Sequence, residues 1–342
     1  MIRQQLGRNV RTLATETSKI IKKTSVTSLL TPWCELQQDY YDSGILTRRT
    51  TLAMKQGTKT HAKIEKIYEL PFESVIIEVP VLTFQDRRST ELLVTYGKLC
   101  AITQPSIAKS PTGLNTVCEV KLFGHLSGCD VTGIIDAVGF GQKSPQDPPK
   151  IYLRELKTMH GKLEVSQSQK AAARLQAMVY YKLFNGLADG SFSLPDFLTR
   201  QGLQLNKPLN PALLEAALES NVISSPSQIK NFGELAKLVQ TAFSQFEGMV
   251  SEELCTEYIN DAKTGVTYDK YIFDEEIISS FLSDRVQLFL KNREPRGVPA
   301  SEAFKCRICP FSPRCPVTTS IAAGLPLPQL SEPPKLLFTQ ID

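Results

Sequence analysis

Near the C-terminus the chain carries Cys306-Arg-Ile-Cys309-Pro-Phe-Ser-Pro-Arg-Cys315-Pro, and no other stretch so narrows the folds open to it. Three thiols in one proline-stiffened loop are hard to reconcile with packing alone. They are spaced as ligands of a soft metal centre, and in a chain of 342 residues without a secretory signal, clustered cysteines point to metal rather than to disulfides. Zinc would want a fourth soft ligand in tetrahedral geometry. A four-iron cluster is commonly held by four cysteines, often with a proline beside one of them. Cys34 is the candidate for the missing fourth ligand in either case. If it joins Cys306, Cys309 and Cys315, the centre closes nearly the whole chain like a clasp. Cys100, Cys118, Cys129 and Cys255 lack metal spacing and read as packing residues.

A second constraint lies at residues 128–158, GCDVTGIIDAVGFGQKSPQDPPKIYLRELKT. Asp136 ends an apolar run, Glu155 and Lys157 follow another, and a Pro/Gly-rich turn separates them, so a β-hairpin is the economical reading. Two carboxylates at adjacent strand ends can hold a hard divalent cation through oxygen, and a lysine beside them can orient water or steady a phosphate. On isolated strands the same residues are solvated charge, so their weight depends on what surrounds them.

The flanking segments supply that surrounding. Residues 49–70 read as a helix with Gly57, His61 and Glu65 on one face, where the glycine lets another element approach and His61 is either a metal ligand or a structural histidine. SVIIEVPVL (residues 74–82) reads as a strand, followed by a helix carrying Leu92, Leu93, Tyr96 and Leu99 and a strand near residues 117–122. A helix over residues 166–187 places Gln176 and Tyr180 four apart on one face. There they either reach a phosphate and the lysine, or pack as a core phenol and a surface amide. From Ser25 a helix is expected through Leu29, Trp33, Cys34, Leu36 and Tyr40, with Trp33 as a core anchor. Amphipathic segments near residues 232–246 and 274–290 flank strand-like material at 254–273. Interleaved strands and helices make the class α/β or α+β.

The net charge of +4 permits an anionic partner without requiring one. No apolar run reaches the roughly 18 residues that cross a bilayer, so no membrane partner is expected. Residues 1–25 are rich in arginine, lysine and hydroxyl side chains, either a mitochondrial presequence or a flexible basic arm.

Taken in order, Cys34, Gly57-Thr-Lys-Thr-His61, Gly133-Ile-Ile-Asp136, Glu155-Leu-Lys157, Gln176-Ala-Met-Val-Tyr180 and the terminal cysteine motif resemble the exonuclease V family over about residues 25–316. That family is an iron–sulfur branch of the RecB-like PD-(D/E)XK nucleases. The resemblance implies an α/β nuclease core with a mixed central sheet flanked by helices and an iron–sulfur clasp joining the N- and C-terminal parts. It implies His61, Asp136, Glu155 and the Leu156 carbonyl as ligands of Mg²⁺ (or Mn²⁺), Lys157 as the group that positions the attacking water, and Gln176 and Tyr180 completing the catalytic site. It implies a structural [4Fe-4S] cluster on Cys34, Cys306, Cys309 and Cys315. The expected activity is hydrolysis of single-stranded DNA from an end, 5′ to 3′, in replication or repair. A monomer is expected, with a single-strand-binding protein as a further partner, in mitochondria as in fungal members or in the nucleus. The domain layout is a basic arm over 1–24, one nuclease domain over 25–316 and a tail over 317–342. A non-catalytic metal-clasped DNA-binding module and a redox iron–sulfur protein are the alternatives.

Overall fold

The computed structural model describes residues 22–30, 34–47, 50–68, 83–104, 113–159, 164–260, 265–298, 300–323 and 338–339. The chain runs β1 (Lys22–Ser25), α1 (Val26–Leu29), α2 (Glu35–Asp42), α3 (Leu52–Tyr68), α4 (Phe84–Ile102), β2 (Asn115–Leu126), β3 (Cys129–Gly141), β4 (Lys150–Met159) and α5 (Gln167–Ala188). It continues through α6 (Leu194–Arg200), α7 (Pro211–Glu219), α8 (Phe232–Ser244), β5 (Glu253–Asn260), β6 (Val266–Ile272), α9 (Glu275–Phe289) and α10 (Pro316–Ala322). Short 3-10 segments carry the cysteine loop at Ala300–Ile308 and Ser312–Arg314. The fold is α/β, with a mixed central sheet flanked by helices.

Six strands form one sheet in the order β1-β3-β4-β5-β6, with β2 on the other edge of β3. The expected hairpin is β3 and β4, and it is paired only over Ala137↔Arg154 to Gly141↔Lys150. Beyond that rung β4 leaves β3 and pairs in parallel with β5, from Arg154↔Cys255 to Met159↔Asn260. A parallel partner needs a long crossover, here supplied by the helices α5 to α8. The vacated edge of β3 is taken up again only at Cys129–Thr132, by the parallel strand β1. Residues 133–136 therefore face a gap in the sheet.

Helix α5 starts at a capping box, Ser166 with Gln169, and lays Leu175, Val179 and Leu183 on the main core with Val120, Ile135 and Val138. A smaller cluster of Cys118, Ala137 and Leu156 is covered by Ile64 of α3. The two helices thus sit on different sets of sheet residues, with the gap between them.

Three expectations need correction. The single helix from Ser25 is divided: Lys22–Ser25 joins the sheet, inside the stretch read as an arm, and Cys34 is not within a helix but is the N-cap of α2. Pro32 was the signal, since a proline ends or interrupts a helical run. The residues after 316 are not merely a tail, because α10 follows the cysteine loop and Phe338 packs on the core beside Arg174 and Tyr271. Trp33, residues 74–82 and the arm up to residue 21 lie outside the described residues.

The start of α2 and the segment at the end of α9 meet at one carboxylate. Glu35 accepts from Arg285 Nη1 (2.7 Å), Arg293 Nη1 and Nη2 (2.6 and 2.8 Å) and the Arg296 backbone N–H (2.8 Å). The Arg296 carbonyl in turn accepts from the Glu35 and Leu36 N–H groups, the free donors of the first turn of α2. Arg285, 3% exposed, also donates to the Leu29 carbonyl and to Gln38. Burial alone would raise the Glu35 carboxyl, but Arg293, the Arg296 N–H and Arg285 outweigh it and hold it below the usual carboxylate range.

Replacing Glu35 by Gln should therefore destabilise the fold by about 3 kcal/mol at pH 7, because it leaves a buried guanidinium uncompensated. The lowered pKa sets the sign of the pH dependence. The stabilisation is complete above the ordinary carboxylate range and is lost as the pH falls through the lowered value, so urea midpoints of wild type and Glu35→Gln should converge below about pH 4. Equal midpoints at pH 7 would remove Glu35 as the closing contact.

Candidate active site

The gap between β3 and β4 gathers the residues singled out in the sequence. Asp136 is the last residue of β3 before the rung Ala137↔Arg154, and Glu155 the first of β4 after it, so the two carboxyls flank the point where the strands part. The Leu156 N–H, which has no β3 partner, donates instead to Asp136 Oδ2 at 2.7 Å. Helix α3 brings His61 over this point, with Nε2 3.6 Å from Asp136 Oδ2 and 3.4 Å from the Leu156 carbonyl oxygen. Gly57, one turn earlier, lets the helix approach: a Cβ there would lie 3.1 Å from Thr158 Oγ1 on β4. This is the close approach that a glycine on that face had implied.

Glu155 is 1% exposed, and its Oε2 is buried without a hydrogen-bond partner. Its Oε1 accepts from Lys157 Nζ at 2.5 Å, and the same ammonium donates to Gln176 Oε1 at 2.9 Å. Burial pushes the Glu155 carboxyl up, with Lys157 opposing and Asp136 adding to the rise. For Lys157, burial works against the charge, but Glu155 and Asp136 prevail and hold the ammonium above the usual lysine range. A lysine so held stays charged and aimed.

Gln176 and Tyr180 both join this arrangement, in different ways. Gln176 Nε2 donates to the Tyr180 hydroxyl at 3.4 Å, so the amide links Lys157 to the phenol. Tyr180 is 2% exposed and packs against Gly133, where a Cβ would come within 2.5 Å of Cε1. Burial pushes its hydroxyl well above the usual tyrosine range, with a hydrogen bond from the Ile134 backbone acting the other way. Tyr180 thus packs in the core beside β3 and touches the Lys157 network only through its hydrogen bond with Gln176. Glu65, the third residue of the His61 face, has no described side chain. A residue missed in the sequence is Tyr258, opposite Lys157 on β5, 1% exposed with its hydroxyl unpartnered. Nothing in ELCTEYIN marks it beyond an aromatic in a strand.

The four cysteines meet elsewhere. Cys34, Cys306, Cys309 and Cys315 line one pocket, walled by Leu36, Tyr40, Val298, Phe311 and Val317. Cys34 Sγ accepts from the Gln37 N–H at 3.4 Å, and the Gln37 amide lies 3.7 Å from Cys309 Sγ. Burial, reinforced by the other three thiols, pushes the Cys34 thiol up to about 11. Among the described residues no group of three or more His, Cys, Asp or Glu side chains is drawn together tightly enough to hold a metal ion. The donor sets nonetheless suit what each place would take: soft thiols in an apolar pocket, and hard oxygens with one buried orphan in the cleft.

Comparison with known proteins bears on the same stretch. A family model described as "Exonuclease V - a 5' deoxyribonuclease" matches residues 16–148 and 139–316. Exonuclease V of Danio rerio is 24% identical over 284 residues, covering 83% of this chain and 67% of that protein. The crystal structure of SSO0001 covers 87% of each chain at 14% identity with a TM-score of 0.38, too low to bear on the fold. The chain belongs to the exonuclease V family of 5′ deoxyribonucleases, enzymes that hydrolyse DNA.

Proposed function

We propose that this chain is a divalent-cation-dependent exonuclease that degrades single-stranded DNA from the 5′ end, with the cleft between β3 and β4 as its catalytic centre. The observation that carries this reading is the buried Glu155 carboxyl with its unpartnered Oε2 beside Asp136. A buried orphan oxygen costs stability unless something binds it. Asp136, Glu155, His61 and the Leu156 carbonyl would hold Mg²⁺ or Mn²⁺. Such an ion supplies charge to the phosphate and lowers the pKa of a water molecule. Lys157, fixed by Glu155 and Gln176, steadies the attacking water and the charge that develops on the phosphate. Beside Gln176 an open groove lined by Thr27, Ser28, Gln38, Tyr41 and Thr47 offers hydroxyls and an aromatic ring to an unpaired strand. The basic composition of residues 1–25 favours a mitochondrial site of action.

In the cysteine pocket we place a structural [4Fe-4S] cluster on Cys34, Cys306, Cys309 and Cys315. When bound it cross-links the first and last parts of the fold; Gln37 and the apolar walls keep water from the thiols. A non-catalytic binding module or a redox protein would leave the buried acid at Glu155 without a use.

Asp136→Ala and Glu155→Ala should each lower degradation of labelled single-stranded DNA on the order of a thousandfold while the protein stays folded. A blocked 5′ terminus should protect the strand and a blocked 3′ terminus should not. Full activity in both variants would falsify the site.

Cation binding should tighten as the pH rises above the ordinary carboxylate range, since a carboxyl raised by burial must lose its proton to become a ligand. Calorimetry in buffers of different ionisation enthalpy should show proton release near neutrality, and a buffer-independent heat would mean Glu155 is already ionised.

Anaerobically purified wild type should be brown, with iron and sulfide in equal amounts, and Cys306→Ser colourless. Stoichiometric zinc without iron would replace the cluster by a zinc site.

A further inference from the structure

The catalytic aspartate sits at a fault shared by two strands. Strands β2 and β3 pair rung by rung from Asn115↔Phe140 to Leu126↔Cys129, and the one rung missing is that between Glu119 and Asp136. Glu119 takes φ +52°, in the left-handed region that residues with a Cβ seldom adopt. Side-chain alternation slips at the same level in both strands. Val117 and Val138 face the main core, and Cys118 and Ala137 face α3. Regular alternation would then send Val120 and Ile135 to the α3 side, but both return to the main core. The inserted pair, Glu119 and Asp136, belongs to neither phase. Glu119 turns out to solvent, while Asp136 stays half-buried at the cleft.

One side chain holds the fault. Lys98 of α4 donates from Nζ to the Cys118 carbonyl at 2.7 Å and to the Glu119 carbonyl at 3.3 Å. Strand irregularities of this kind re-aim side chains beside active sites, and a left-handed glutamate persists only where its surroundings fix it.

We propose that Lys98 is a positioning residue: by fixing the left-handed turn at Glu119 it holds the slipped pair and aims the Asp136 carboxylate into the cleft. This rests on the reading of Asp136 as a cation ligand. Without the ammonium, β2 relaxes toward a regular ladder, Asp136 turns away, and the cation is held more weakly while the DNA-binding surface is untouched. The shape of the defect is therefore tied to cation affinity rather than to strand affinity.

The test is Mn²⁺ binding by calorimetry, alongside kcat, KM and melting temperature, on full-length Lys98→Met, Lys98→Arg, Glu119→Val and Glu119→Gly. Lys98→Met should weaken Mn²⁺ binding about tenfold, as loss of a group supporting a ligand does. It should lower kcat with KM for single-stranded DNA unchanged, and Lys98→Arg should restore both. Glu119→Val, β-branched and excluded from the left-handed region, should behave like Lys98→Met. Glu119→Gly should raise the melting temperature and leave Mn²⁺ binding as it was. Wild-type Mn²⁺ affinity in both Lys98→Met and Glu119→Val overturns the proposal, as does a loss in Lys98→Met that tracks KM or melting temperature alone. Asp136→Asn separates the two levels: if it keeps full activity and Mn²⁺ binding, the site reading itself falls, and if it loses both while Lys98→Met does not, only the role of Lys98 falls.

Discussion

A sheet that comes apart on purpose underlies this site: β3 and β4 share rungs as far as Ala137↔Arg154 and then separate. Each strand end is left with backbone groups that a continuous sheet would have satisfied, and buried polar groups must find partners. The Leu156 N–H finds the Asp136 carboxylate, and the Tyr180 ring fills the space beside Gly133. The residues that repair the break are those that build the site. His61 then adds an imidazole and Lys157 an ammonium around the opening, one from a helix and one from the departing strand.

The opening is kept by partners on either side. β5 draws the outer half of β4 away, β1 occupies the far end of the β3 edge, and Tyr180 fills the space that Gly133 leaves free. On the periphery, Glu35 binds three arginine-bearing positions near the end of the chain and so sets Cys34 within reach of the cysteine loop. The first and last parts of the described fold are thus joined by protein contacts, which also bring the four thiols to one pocket. A carboxylate shared by two guanidinium groups and a backbone N–H has specific geometry and little tolerance for sliding.

Much of this was legible residue by residue. GIID and ELK stood out because a charge breaks an apolar strand, and Gly57, His61, Gln176 and Tyr180 because helical spacing puts functional groups on one face. The hairpin, α3, α4, α5 and the strands near 254–273 follow from periodicity and punctuation. What was hidden depends on distant partners. That the hairpin opens after Arg154 is decided by β5, about a hundred residues later in the chain. Glu35 gained meaning only from arginines roughly 250 residues away. The segment VCEVK reads as an ordinary strand, and its left-handed glutamate shows only in the backbone. The break before Cys34 was announced by Pro32 and overridden by an apolar pattern that spanned it.

The parallel pairing of β4 with β5 also sets an order of assembly. Glu155, Leu156 and Lys157 are present early in synthesis, yet the strand that holds them away from β3 comes only after the α5 to α8 crossover. Contacts between residues far apart in sequence form late, because the intervening loop must first lose its freedom. A ribosome-bound chain that has passed Met159 but not reached Asn260 carries both acids and the lysine without a cleft to place them in. The gap between β3 and β4 is thereby a late feature of folding, opened only when β5 arrives.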